Sequence, residues 1–257
     1  MTFRQKFTAF RTILVKEILR YARIWIQTVL PPMITTALYF IIFGNLIGSQ
    51  IGDMEGFRYM EFIVPGLIMM AVITNSYANV VSSFYGSKFQ RHIEEMLVAP
   101  LPNYVILTGF ISGGVARGLT VGAAVTLVSL LFTPLSIHNV WVMLSMILLT
   151  AILFSLAGFI NGIYAKSFDD ISIVPTFVLT PLTYLGGIFY SINMLPSFWQ
   201  HVSLANPILY MINAFRFGFL GVSDISLAAS YAISLGFIVL LYGLSIRLLG
   251  KGHGIRT

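Results

Sequence analysis

The chain has no cysteine and very little charge. Without thiols there are no disulfides, no thiolate metal sites and no acylation sites. Charged residues make up 9% of the 257, against roughly 25% in a soluble domain. A chain so poor in charge cannot cover itself with a solvated surface, which excludes an ordinary water-soluble domain. Its carboxylates fall at or beyond the ends of the apolar stretches, so it lacks the buried acidic relay typical of proton-coupled carriers. No G-x-x-x-x-G-K-[ST] phosphate loop, G-x-S-x-G or H-E-x-x-H occurs. His92, His138, His201 and His253 are scattered without metal-ligand spacing. Catalytic residues, a bound cofactor and a metal site are therefore not expected in this chain. The glycine-rich run around Lys251 reads as a flexible tail.

Apolar sequence is what the chain has in plenty: 57% of residues are hydrophobic and the mean hydropathy is +0.88. A helix needs about 20 apolar residues, at 1.5 Å each, to cross the hydrocarbon. The uncharged stretches 24–52, 62–87 and 225–246 hold one span each, and 118–165 is divided by a turn at 133–139 around Pro134. The expected fold is all-α and polytopic. Six transmembrane helices fall at about 24–47, 60–84, 104–132, 140–164, 171–190 and 226–247, in one domain over 24–257. The stretch 171–215 is irregular, with Pro175, Pro181, Gly186, Gly187, Pro196 and Pro207. A simple helix does not tolerate that density of breakers. It reads as a broken fifth helix followed by re-entrant helices around 194–220, or else by a plain outer loop. Non-helical backbone at membrane depth persists only when buried in protein or lining water.

Of the 15 Lys and Arg residues, twelve fall on the side that holds both termini and only Arg58 and Arg216 on the other. Positive residues stay in the cytoplasm, so both termini are expected there, in a bacterial inner membrane. The net charge of +6 needs no nucleic-acid partner to explain it. Residues 1–23 alternate Phe3, Phe7, Phe10, Ile13, Leu14, Ile18 and Tyr21 with Arg and Lys at helical spacing, which suits an amphipathic helix at the inner interface. No small-residue cleavage site follows, so removal of this segment as a signal peptide is not expected.

A second cytoplasmic element, 85–102, concentrates Lys88, Arg91, His92, Glu94 and Glu95, then stops at Pro100 and Pro102. Arg91 and Glu95 are spaced i, i+4, and Phe89, Ile93, Met96 and Leu97 can share an apolar face. On these residues alone it is either a force-passing helix or an ordinary charged loop.

The run Arg91-His92-Ile93-Glu94-Glu95-Met96-Leu97-Val98-Ala99-Pro100-Leu101 resembles the cytoplasmic-loop signature of ABC-2-type exporter permeases. Pro181-Leu182-Thr183-Tyr184-Leu185-Gly186-Gly187-Ile188-Phe189-Tyr190, then Leu195-Pro196, Asn206-Pro207 and Arg216, resembles the signature of their fifth helix and outer re-entrant region. The resemblance covers essentially the whole chain. It implies an exporter in which two copies of the permease, a homodimer, enclose one path above two separate ABC ATPase subunits. ATP and magnesium would be bound by those partners. Lys88, Phe89, Arg91, His92, Ile93, Glu94, Glu95, Met96 and Leu97 would belong to the coupling helix that seats in the ATPase.

Arg117 is the one charge well inside an expected span, among Gly109, Gly113, Gly114, Gly118 and Gly122. The glycines predict close helix packing. Arg117 either touches an anionic substrate or lipid headgroup beside the path, or hydrogen-bonds a neighbouring helix or snorkels. Tyr184, Phe189 and Tyr190 are candidates for the path or for lipid contact. The competing function is an ion-gradient-driven carrier or channel, against which the missing buried carboxylates and inverted halves speak. Nothing in the sequence selects a substrate among drugs, lipids, glycolipids and polysaccharides.

Overall fold

The computed structural model describes residues 1–48 and 52–252. His253 and Arg256, in the expected tail, lie outside the described residues, as does the side chain of Leu97. Helix α1 (Phe3–Arg23) opens with a capping box in which Thr2 and Gln5 satisfy each other's backbone amides. After a break at Ile24 comes α2 (Trp25–Tyr39), which runs on as π-helix over Phe40–Ile47. Strands β1 (Asp53–Met54) and β2 (Phe57–Arg58) pair antiparallel, Asp53 with Arg58 and Met54 with Phe57. Their turn needs positive φ at both central residues, Glu55 at 54° and Gly56 at 85°. Apart from this hairpin the described residues carry no strand, in keeping with the all-α expectation.

Helix α3 (Tyr59–Phe89) runs further than the expected 60–84, and α4 (His92–Val98) follows after a sharp corner. The corner is Arg91, left-handed at φ 61°, a conformation that costs a non-glycine residue about 1 kcal/mol. Helices α5 (Asn103–Ser129) and α6 (Val140–Tyr164) come next, the second capped by Asn139 accepting from the amides of Trp141 and Val142. The expected span 171–190 is broken into α7 (Asp170–Val174), a π-turn (Pro175–Leu179) and α8 (Thr180–Tyr184), five residues each. Pro175 and Pro181 remove amide donors there, and the chain turns at Gly187 with φ 75°. A 3-10 turn (Ile192–Met194), α9 (Ser197–Leu204), α10 (Pro207–Leu220) and α11 (Leu227–Lys251) complete the chain.

Five of these helices are long and apolar enough to cross a membrane: Trp25–Gly44, Tyr59–Phe89, Asn103–Ser129, Val140–Tyr164 and Leu227–Lys251. Helix α3 is the hub, packed mainly between α5 and α6. Lipid is as apolar as leucine, so close van der Waals fit rather than hydrophobic burial holds such helices together. The glycines of α5 divide this task. Gly109 and Gly113 receive Ile13 and Glu17 of α1, whereas Gly114, Gly118 and Gly122 face Val80, Ser76 and Val72 of α3. On α6, a Cβ at Gly158 would meet the Tyr77 carbonyl at 2.5 Å.

Candidate functional site

At the end that leads into the short helix α4, α3 is bolted to the end of α6. Lys88 Nζ donates to the carbonyls of Ile163 and Ala165, each at 2.8 Å, satisfying two of the groups a helix end leaves open. The Tyr85 hydroxyl donates to the Lys166 carbonyl at 2.9 Å. Phe89 and Phe168 stack edge-on at 5.3 Å beside Tyr85. Lys88 and Phe89 thus end α3 rather than standing on the short helix itself. Helix α4 is pinned by Ile93, fully buried among Phe84, Ile106 and Phe110. That leaves Arg91, His92 and Glu95 exposed, Glu94 and Met96 half-buried, and Val98 87% exposed. The i, i+4 pairing of Arg91 with Glu95 is not made: Arg91 lies before the helix, and among the described residues the single ion pair is Glu17–Arg20.

At the opposite end, an aromatic group joins α2 to the broken fifth helix. The Tyr39 and Tyr184 hydroxyls are 3.1 Å apart, Phe43 stacks on Phe189 at 4.9 Å, and the Tyr59 hydroxyl donates to the Phe189 carbonyl at 3.1 Å. Tyr190 stands apart, half-buried, with no partner for its hydroxyl. Below this group a cleft of about 300 Å³ runs between α3 and the fifth helix, lined by Thr74, Thr176, Thr180, Thr183 and Tyr184.

The same end holds a polar knot that the sequence did not single out. Arg216 is fully buried, donates to the Gly187 carbonyl and lies 3.8 Å from the centre of the Phe62 ring. Asp224 accepts from Ser191 Oγ at 2.7 Å, from the Ile192 amide at 3.2 Å and from Asn193 Nδ2 at 3.3 Å. Partial desolvation, and then the hydrogen bond and charge of the neighbouring Asp224, hold the carboxyl of the largely exposed Glu55 above its ordinary value of 4.5. The hairpin, α10 and the loop before α11 are thereby tied at one point.

Between the two ends, α3 carries a ladder at four-residue spacing, each rung taking one charged side chain. Asn75 Oδ1 accepts from Arg117 at 3.2 Å and Asn79 Oδ1 from Arg20 at 2.7 Å. Ser83 Oγ donates to Glu17 at 2.6 Å, and Lys16 Nζ donates to Ser87 at 3.5 Å. Glu17 is completely buried. Its position on a basic helix outside the spans gave no sign of this. The spacing of Asn75, Asn79, Ser83 and Ser87 was the available signal. Among the described residues no group of His, Cys, Asp or Glu could hold a metal ion.

A buried polar spine runs through an apolar bundle, with a short, partly exposed helix at one end and a proline-broken segment at the other. The profile of the ABC-2 type transporter family matches residues 8–220, and the chain belongs to that family. It is 61% identical, over 97% of both chains, to the inner membrane transport permease YadH of Escherichia coli (strain K12). It is 22% identical to nodulation protein J of Rhizobium meliloti, covering 78% of this chain and 77% of that one. With nodulation protein J of Sinorhizobium fredii the identity is 26%, over 84% and 82% of the two chains. The protein is thus the transmembrane permease subunit of an ABC-2 type transporter, multi-pass in the inner membrane and working with ABC ATPase partners. That assignment sets aside the ion-gradient carrier.

Proposed function

We propose that two copies of this chain enclose one export path, each crossing the membrane six times with both termini cytoplasmic, above two separate ATPases that bind ATP and magnesium. The α3–α4 corner carries this reading. It presents a short helix whose buried Ile93 fixes it to the bundle and whose opposite side stays exposed. Closure of the ATPases would push on α4 through Glu94, Glu95, His92, Met96 and Leu97. Lys88 and Phe89 would pass that push to α6 and to the loop beyond it. A single domain over 24–257, flanked by the interfacial helix 1–23, accords with α1 burying Ile13, Glu17 and Tyr21 against the bundle.

Connectivity supports the sixth crossing. Helix α6 ends beside Lys88, whereas Ser191 meets Asp224 and the outer hairpin, so residues between them must change sides. Helix α11 returns, bringing Gly250 beside Asn103 at the start of α5. The broken fifth helix makes that passage, and α9 and α10 re-enter from outside. In this arrangement the threonine cleft forms one wall of the path, and Tyr184, Phe189 and Tyr190 stand at its outer end. Arg117, midway along α5 and bonded to Asn75 of α3, faces the path or lipid.

The test is capture of tagged protein from mild-detergent membranes, wild type against a Glu94→Ala/Glu95→Ala variant. A P-loop ATPase should accompany the wild type and fall at least several-fold in the folded variant. Equal recovery with both would remove α4 from the coupling role.

A further inference from the structure

We propose that the groove bounded by α1, α5, α6 and α11 binds one acyl chain of an anionic phospholipid, whose headgroup is held by basic residues at the groove's mouth. The site goes beyond the transport reading; only the choice of the inner leaflet rests on the orientation given there.

The groove arises from how the helices pair. Helix α1 packs on α5, whereas α11 packs along α6 and much less against α5. The gap between them holds about 580 Å³, within the roughly 300–1,000 Å³ of pockets that take a small molecule. Leu14 and Ile18 line it from α1, and Ile238 and Tyr242 from α11. The rest comes from α5 between Thr108 and Leu119 and from α6 between Leu148 and Leu156, and no lining residue is charged. Thr108 to Leu119 covers about 16 Å at 1.5 Å per residue. That is close to half of a hydrocarbon core of about 30 Å, which is the depth of one leaflet's chains.

An apolar gap beside lipid attracts no water, and atoms that face a void forfeit dispersion contacts. A smooth helix touches an annular chain on one side, but this groove surrounds it with four helices. Because lipid is as apolar as the lining, residence here comes from fit and from the headgroup rather than from hydrophobic transfer. The groove is also separate from the threonine cleft: that cleft lies between α3 and the fifth helix, and neither of these lines the groove.

Charge at one mouth selects the headgroup. Lys6 lies over the Tyr104 ring at 5.9 Å, and Tyr104 is one turn before Thr108 on α5. Exposed Arg11 stands one turn before Leu14 on α1. Gly250 lies beside Asn103, which brings exposed Arg247 and Lys251 of α11 to the level where α5 begins. Neither α5 nor α11 contains an Asp or Glu, and the single acid of α1, Glu17, is bonded to Ser83 of α3. Cations without a counter-charge, at one end of an apolar groove, complement an anionic head joined to a hydrocarbon chain.

The experiment uses the full-length protein in phosphatidylcholine nanodiscs doped with phosphatidylglycerol that carries a diazirine midway along one acyl chain. Adducts are located by peptide mass spectrometry. They should concentrate, several-fold over the exposed Ile26, Leu30 and Ile34 of α2, on α5 between Ser112 and Leu119 and on the facing part of α6. A116F fills the groove and should remove most adducts there while sparing those on α2; S112L is the smaller filler should A116F fold poorly. K6Q and R11Q should each lower groove labelling about fivefold, the worth of one basic residue near an anionic headgroup. R58Q, an exposed arginine at the other end of α3, should change nothing. A phosphatidylcholine probe with the same chain should label the groove less and ignore K6Q and R11Q. Labelling spread evenly over the groove and α2, equal groove labelling by the two probes, or adducts unchanged in folded A116F and S112L would each overturn the proposal. So would a groove free of adducts, the result if a second copy covers it. The readout needs no ATPase, so failure of the coupling reading shows separately.

Discussion

Helices α2 and α3 are almost equally apolar, with hydropathies of 1.6 and 1.4 over their spans, yet 17% of one and 83% of the other is buried inside the protein. Helix α6 is the most hydrophobic of the three at 2.4 and is only 39% buried. In water, burial follows apolarity, but in lipid an apolar face is at ease on either side. What marks the interior here is small and polar residues. Helix α3 presents Asn75, Ser76, Asn79, Ser83 and Ser87 to its neighbours, whereas α2 and the π-helix that continues it turn Ile26, Leu30, Ile34, Leu38 and Ile42 outward at four-residue spacing. The helix at the centre of the bundle is the one whose polar groups need partners.

The harshest way to break this contrast is to fill the space between α3 and α6. Gly158→Leu should abolish most folded, monodisperse protein in size-exclusion chromatography, since its side chain meets the Tyr77 backbone, which cannot step aside. Gly236→Leu, on the open face of α11 where nothing lies within 4 Å, should leave yield and thermal stability unchanged. A smaller change sharpens the role of the ladder. Glu17→Leu strips Arg20 of its carboxylate and Ser83 of its acceptor, which should cost about 1–3 kcal/mol. Protease cleavage within α1 should quicken accordingly, while the same substitution at exposed Glu95 should have no such effect.

The mildest test concerns pH at the Asp224 knot. Glu55 binds its proton more tightly folded than unfolded, because burial and Asp224 disfavour its charge. Its contribution is therefore present below the unfolded value of 4.5 and is lost as pH rises through the higher folded value. Hydrogen-exchange protection in the hairpin, taken relative to the intrinsic exchange rate at each pH, should fall across that window in wild type. Glu55→Gln should flatten the dependence.

The uncharged stretches located most of the fold, because lipid leaves charge no other place: the expected 140–164 coincides with α6, and 104–132 differs from α5 by three residues at most. Where breakers crowd, at 171–190, sequence showed that the helix fails but not how, since π-turns depend on which carbonyls the neighbours leave free. The resemblance carried the coupling helix back over Lys88 and Phe89, which belong to α3. Only the left-handed backbone of Arg91 decides the corner, and arginine does not advertise it. Glu17 and Lys88 were hidden for a related reason. Each carries a charge that reads as solvated until a facing helix supplies Ser83 to one and open carbonyls to the other.

In the proposed coupling, the ATPase acts on this permease at α4. A photoreactive residue placed at Val98, exposed on α4, and separately at Leu240, exposed on α11, addresses it in membranes. The account predicts a covalent adduct with a P-loop ATPase at Val98 and none at Leu240. An ATPase complex that forms yet cross-links only from elsewhere, such as Phe3 of α1, would contradict it.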